Sequence, residues 1–417
     1  MKKLFAAIII FFILTYTASA ELRFPKPEFS GGYKVPATTL TDSISDYSYL
    51  KIAVLIGILI LSGLAVYKMR SRKLILFISL INLAVFGFIM VGCVCPAGSV
   101  QNIASYFFGD SENFTVITGL LFFIPLITAM FFGRLFCISG CPLGAIQELI
   151  HFKTLRVPFA TDKILRFIPY LILCLTIVMA GSGAGYLVCS TDPFIGIFRK
   201  ASFANIGILS VIILVISTFI SRPYCRYFCH YSVLLRFLSF LSNKSIPIYS
   251  GDCVECRLCE NACPNNAIIP GHADVKDNTQ KKAVNKIGFL IITLPFFMLL
   301  GGFLFLKTSG YFLDFHKDIK LYNMLLNIEK NKTEYEVQAF LSSGGSFEDL
   351  KKMYTKKVYF IKTGFAFSGM AIVLFIVLDL RLLLRKRKNK NPVIDMSLCY
   401  NCLRCLKSCP VNKKNRN

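Results

Sequence analysis

Eight of the sixteen cysteines fall into two runs of identical spacing. Cys253, Cys256, Cys259 and Cys263 precede Pro264, and Cys399, Cys402, Cys405 and Cys409 precede Pro410. The pattern C-x2-C-x2-C-x3-C-P is the ligand run of a 4Fe–4S ferredoxin. Three thiolates within seven residues wrap one face of a cubane, intervening amides donate to its sulfides, and proline ends the turn. Zinc would call for two cysteine pairs separated by a longer loop. In two-cluster ferredoxins the fourth cysteine of each run serves the other cluster. One expected set is therefore Cys253, Cys256, Cys259 and Cys409, and the other Cys399, Cys402, Cys405 and Cys263. Four local ligands per cluster is the alternative.

A looser repeat involves the remaining cysteines. Gly133-Arg134-Leu135-Phe136-Cys137 leads to Cys141-Pro142, and Ser221-Arg222-Pro223-Tyr224-Cys225 leads to Cys229-His230. Pairs at i, i+4 in helical backbone share a face. Cys137, Cys141, Cys225 and Cys229 could thus hold one shared cofactor, act as two dithiol pairs, or simply pack. Cys93 and Cys95, before Pro96, echo the Cys141-Pro142 segment, and Cys189 stands shortly before Asp192. For these three a disulfide or a metal site are the alternatives, and Cys174, among apolar neighbours, reads as packing. The four histidines include no pair spaced to bracket a haem. His230 is a candidate ligand or a boundary residue. No nucleotide loop follows from Gly181-Ser182-Gly183-Ala184-Gly185, which lacks the required helix and acid. No hydrolase constellation appears.

The elements that carry these residues are read from composition. The 417 residues are 55% hydrophobic with only 17% charged, and the mean hydropathy of +0.59 points to a membrane protein. The net charge of +24 is therefore assigned to loops on one membrane side and not to nucleic-acid binding. Residues 1–20 have the form of a signal peptide. Seven later stretches approach spanning length: 50–67, 74–92, 114–132, 166–185, 203–220, 287–306 and 358–380. Segments 68–73, 133–165, 221–286 and 381–417 hold 4, 4, 9 and 11 Lys+Arg, against 3, 0, 2 and 9 in 21–49, 93–113, 186–202 and 307–357. The last nine face seven acids. This alternation puts both ferredoxin runs and the C-terminus in the cytoplasm and the N-terminus outside after cleavage.

The expected fold is an all-α polytopic membrane protein of about seven transmembrane helices with a cytoplasmic, ferredoxin-like module for two 4Fe–4S clusters. Its divisions are a signal peptide (1–20), a periplasmic segment (21–49), a five-helix membrane domain with the Cys-Pro motifs (50–250) and a first cytoplasmic cluster segment (251–286). Two membrane helices (287–380) then flank a periplasmic helical hairpin (307–357), and a basic cytoplasmic tail (381–417) bears the second run. Within the spans the only clear acid is Asp379, which disfavours an ion pump.

The stretches GRLFCISGCPLGAIQEL, CSTDPFIGIFR and RPYCRYFCHYSVLLRFLS, together with both ferredoxin runs, resemble polytopic membrane ferredoxins of the NapH and NosR type. The resemblance covers about residues 33 to 410 and looks closest to the transmembrane half of NosR-like proteins. It implies an electron-transfer subunit of a bacterial inner membrane, not a complete enzyme, linking the quinone pool or a cytoplasmic donor to a periplasmic flavoprotein or reductase of nitrate or nitrous oxide respiration. The eight ferredoxin cysteines correspond to the cluster ligands, and Cys137, Cys141, Cys225 and Cys229 to the Cys-Pro motifs, with a further membrane-embedded centre as an option. His230 stands where the family has proline. Flavin is expected only on a partner protein, because the flavin-binding domain of NosR has no counterpart here. The alternative is a maturation or redox-sensing factor for a periplasmic metalloenzyme.

Overall fold

The computed structural model describes residues 46–90, 96–109, 115–152, 154–155, 157–198, 204–242, 254, 256–269, 277–327, 334–384 and 393–411. The signal-peptide stretch, Cys93, Cys95 and Cys253 lie outside these residues. The described chain is almost wholly helical. Its main helices are α1 (Asp46–Gly63), α2 (Arg72–Asn82), α3 (Pro96–Phe108), α4 (Val116–Phe132), α5 (Pro142–Leu149), α6 (Ile168–Ser182), α7 (Ala204–Phe219), α8 (Tyr231–Phe240), α9 (Asp277–Thr308), α10 (Phe347–Leu384) and α11 (Arg404–Ser408). π-turns at Leu64–Lys68 and Leu83–Ile89 prolong α1 and α2. One two-residue antiparallel pair joins Ile268 to Ile394 and Ile269 to Val393.

Among the described residues four helical stretches are long and apolar enough to cross a membrane: Tyr49–Lys68, Arg72–Ile89, Thr161–Ser182 and Phe347–Leu378. Val116–Phe132, Ile206–Phe219, Tyr231–Phe240 and Ile292–Thr308 are apolar but shorter. Large apolar side chains such as Phe77, Phe123, Val211, Ile292 and Phe367 stand exposed along these helices, the surface a lipid phase would cover. The sequence reading expects about seven segments near spanning length. The stretch 114–132 is short for a local reason. At 17 residues α4 is about 25 Å long, and Gly133, at φ 67°, ends it just before the first cysteine pair.

Both cysteine-pair segments then pack against neighbouring helices. Ser79 Oγ, about 10 Å along α2 from Arg72, donates to Ile138 O at 2.8 Å. Tyr231 Oη donates to Phe122 O at 2.7 Å, about 15 Å from the end of α4 at Phe132. From there α8 returns, and Ser242 Oγ reaches Phe131 O at 3.1 Å. α3 runs between two contacts. Phe108, closing α3, packs on Phe360 with ring centroids 5.8 Å apart, whereas Ala97, near its start, lies against His230. Irregular backbone at this depth is tolerated where protein covers it. Phe136, Ile138 and Ser139 are accordingly buried.

α9 and α10 form a tight hairpin. A methyl group on Gly369 would strike the Gly301 carbonyl, and one on Gly301 would come within 2.6 Å of Val373. Between them, Lys317–Leu326 and Tyr335–Ser342 close a small helical cap whose core includes Tyr322, Leu325, Val337 and Leu350. Cys174 is buried in α6 beside Ser368. Gly369→Val is expected to cost about 1–3 kcal/mol, read as a lower unfolding temperature in detergent. Gly57→Ala, whose added methyl meets nothing within 4 Å, should leave that temperature unchanged.

Candidate functional site

The two ferredoxin runs share one local fold. Arg257 (φ 55°) and Leu403 (φ 54°), each directly after the second cysteine, both adopt the left-handed conformation and start a short helix, Leu258–Ala262 or Arg404–Ser408. Non-glycine residues rarely adopt it unless their surroundings impose it. The β-pair and the bond from Asp395 N to Ala267 O at 2.7 Å bring the runs together. Cys263, from the first run, stands within electrostatic reach of Cys399, Cys402 and Cys405 of the second. These four cysteines line one small pocket. Backbone amides point at their sulfurs, Ala267 N to Cys263 Sγ at 3.3 Å and Asn401 N to Cys399 Sγ at 3.4 Å. Cys256, Cys259 and Cys409 are described outside this group of four, and Cys253 is outside the described residues.

The second grouping joins the two looser pairs. Cys229 lies within electrostatic reach of Cys225, Cys137 and Cys141. Cys137 and Cys225 are buried, and Cys141 and Cys229 are half-buried. Among the described residues no three metal-ligating side chains close around a single ion. A cubane is wider than an ion, so its four thiolates stand further apart than the donors of one metal.

The two groupings touch. Tyr400, next to Cys399, donates through Oη to Cys225 O at 3.3 Å. Asn401 Nδ2 donates to Phe132 O at 2.8 Å, which also accepts from Tyr67 Oη at 2.8 Å. Glu148 binds the assembly together. It accepts from Arg72 Nη2 and Arg404 Nη2, each at 2.8 Å, and from Arg222 Nε at 3.2 Å. The same arginines hold the cysteine segments: Arg72 Nη1 donates to Cys402 O at 2.8 Å and Arg222 Nη1 to Cys137 O at 2.5 Å. The first run is anchored likewise. Arg226 donates to Pro264 O at 3.0 Å and Arg166 to Asn265 O at 3.1 Å, while both pair with Asp162.

The second cysteine pair also meets the segments around Ala97 and Asp192. His230, fully buried, lies 3.2 Å from Ala97 O through Nε2. Tyr224 Oη donates to Asp192 Oδ1 at 3.0 Å. Cys189 packs beside the buried Gln101 amide, whose oxygen is satisfied by Leu187 N at 3.0 Å and Val188 N at 3.1 Å when turned towards them. The sequence reading put the quartet at one boundary and Cys93, Cys95 and Cys189 at the other, with the apolar core between. Among the described residues, Ala97 and Asp192 meet His230 and Tyr224 of the second pair directly.

The donor set suits an iron–sulfur cluster on two counts. Amides already point at sulfur, and the six arginines of the frame (Arg72, Arg134, Arg166, Arg222, Arg226 and Arg404) outnumber its three carboxylates, Glu148, Asp162 and Asp192, which favours anionic thiolates over neutral thiols. Sequence reasoning missed Glu148, Asp162, Tyr400 and the arginine frame. One signal was available: in both repeats an arginine, Arg134 or Arg222, stands three residues before the first cysteine. A charge there, inside an apolar stretch, requires a buried partner.

Residues 113–157 and 203–248 each match a family described as 4Fe-4S binding domain, and residues 246–269 match a second family of that description. The first two segments each contain one Cys-x3-Cys pair; the third contains the first ferredoxin run. The chain carries 4Fe–4S binding domains. It is similar to an uncharacterized protein of Methanocaldococcus jannaschii, 32% identical over 116 residues, or 27% of this chain and 46% of the relative. It is also similar to the putative electron transport protein YccM of Escherichia coli, 31% identical over 80 residues, or 19% and 22% of the two chains. The chain thus spans less than half the length of these curated relatives. No solved structure matches it.

Glu148 yields a prediction. Burial opposes its charge, but Arg222, Arg404 and Arg72 overcome that and hold its carboxyl at about 2. The folded value lies below the unfolded one near 4.3, so its stabilisation is complete above about pH 4.3 and is lost as pH falls towards 2. Glu148→Gln leaves three arginines without their shared carboxylate, at a cost of about 3–5 kcal/mol. The expected readout is rapid tryptic cleavage at Arg404 and Lys407, sites protected in the parent protein at neutral pH.

Proposed function

We propose that this chain is an electron-transfer subunit that passes electrons through a membrane along iron–sulfur centres. The observation that carries the reading is the position of the quartet Cys137, Cys141, Cys225 and Cys229. It touches the second ferredoxin run through Tyr400 on one side and the segments around Ala97 and Asp192 through His230 and Tyr224 on the other. Cysteine sites spaced along such a line shorten every hop across a core about 30 Å thick. The electron-transport description of the Escherichia coli relative agrees with this reading.

Cys263, Cys399, Cys402 and Cys405 would hold one cluster, and Cys256, Cys259 and Cys409 with Cys253 the other. The quartet would hold a third, each supplying one-electron redox chemistry. The chain's own residues position these sites. Glu148 and its arginines lock the second run to the quartet, and the Asp162 pair of arginines locks the first. We place both ferredoxin runs on the cytoplasmic face of a bacterial inner membrane, on the strength of the arginine- and lysine-rich segments flanking them. The acceptor would be a periplasmic flavoprotein or reductase.

The quinone pool is the proposed donor. An apolar groove of about 550 Å³ opens between α1 and α4, lined by Ile56, Leu59, Ile60 and Ile124, with Tyr67 and Lys68 beside it. That is the size and lining of a small-molecule site. Tyr67 is within electrostatic reach of Cys399, so a quinone there would adjoin the second run.

Anaerobically purified protein should contain about twelve irons per chain, four per cluster. Cys137→Ser with Cys141→Ser should remove about four and abolish electron delivery to an acceptor outside the membrane, with the reduced ferredoxin signals retained. A parent protein with only about eight irons, or full delivery by the double variant, would refute the role of the quartet.

A further inference from the structure

Arg134 and Arg222 hold equivalent places in the two repeats, and both guanidinium groups lie over the ring of Tyr400, at 4.1 and 5.5 Å from its centroid. Their surroundings differ. Arg222 shares Glu148. Arg134, only 4% exposed, has no carboxylate partner among the described residues; its contacts are Ser397 O at 3.4 Å and the face of Tyr400, and its Nε meets no acceptor. Cys137, Cys225 and Cys229 stand within its electrostatic reach: Cys137 N donates to Arg134 O at 3.3 Å, and Tyr400, under the guanidinium, donates to Cys225 O. The pocket it lines with Tyr400 is bordered by three more arginines, Arg166, Arg226 and Arg236, of which Asp162 pairs with the first two. A buried guanidinium without a carboxylate partner is costly, and the Tyr400 ring quadrupole offsets only part of that cost. The neighbourhood therefore lacks negative charge, and the groups placed to supply it are the quartet thiols in their deprotonated, metal-bound form.

We propose that Arg134 is the counter-charge of a thiolate-bound iron–sulfur centre at Cys137, Cys141, Cys225 and Cys229, and that its positive charge raises the reduction potential of that centre. The inference rests on the three-cluster reading above. Adding one electron makes such a centre more negative, and a fixed cation nearby stabilises that reduced form more than the oxidised one. The arginine thereby favours passage of the electron from the ferredoxin sites to the quartet, without transfer of a proton.

The test is a redox titration of the full-length protein, followed by electron paramagnetic resonance, with iron content measured on the same samples. Arg134→Gln should shift the quartet centre to a more negative potential, leave the other two centres in place, and lose no iron from them. Arg134→Lys, which keeps the charge but not the planar stack, should stay near the parent potential. Tyr400→Phe keeps the ring under Arg134 and should do likewise. If the glutamine variant loses the quartet iron, retention of that iron at the parent potential in the lysine variant still supports the counter-charge. The proposal is overturned if Arg134→Gln keeps both iron and potential, or if Arg134→Lys shifts the potential as far as Arg134→Gln does. Iron for two clusters only in the parent protein would instead remove the three-cluster reading itself.

Discussion

Burying the Glu148 carboxylate among Arg72, Arg222 and Arg404 ties together four stretches of chain through a single charge. Arg72 begins a long apolar helix, Glu148 closes the first cysteine hairpin, Arg222 opens the second, and Arg404 sits inside the C-terminal ferredoxin run. One anion shared by three cations is costly to assemble in a low-dielectric interior, and its geometry is correspondingly strict. The remaining donor positions of the same guanidinium groups reach Cys137 and Cys402 carbonyls. The fixed charge therefore sets where two cysteine segments lie relative to each other.

A second constraint follows from sulfur. Four thiolates around a cluster carry net negative charge into an apolar region, and a protein that holds them must supply cations nearby. The frame here has that surplus: three arginines to one carboxylate at Glu148, two to one at Asp162, and Arg134 with none among the described residues. Apolar packing surrounds it. Leu55, Phe86, Leu135, Phe136, Tyr170 and Tyr231 belong to one core that also contains Cys137, Cys225 and Cys405. Rigid walls of this kind keep donor atoms in place whether or not a centre is oxidised.

Much of this was legible in the residues themselves. The ferredoxin runs declare their chemistry through spacing, because a cubane admits few backbone paths and these require cysteine at fixed intervals. The apolar stretches declare helices, and Gly133 marks the end of one. Cys174 reads as packing, and the structure places it buried in α6. The Cys-x3-Cys pairs were legible only as alternatives, since a thiol among apolar neighbours looks the same whether it packs, cycles or binds metal.

What the chain order could not express is return. Hydropathy rises and falls along the sequence in one dimension, so a hairpin that re-enters the core after Gly133 or Ser221 looks like a boundary loop. Only the folded molecule sets Tyr231 beside Phe122, His230 beside Ala97 and Tyr224 beside Asp192. The meeting of Cys263 with Cys399, Cys402 and Cys405 was inferable by analogy of spacing. The choice of Glu148 and Tyr400 as the joints was not. Local covalent spacing determines which atoms can bind iron, whereas long-range electrostatics and packing decide which of those sites come within an electron's reach of one another.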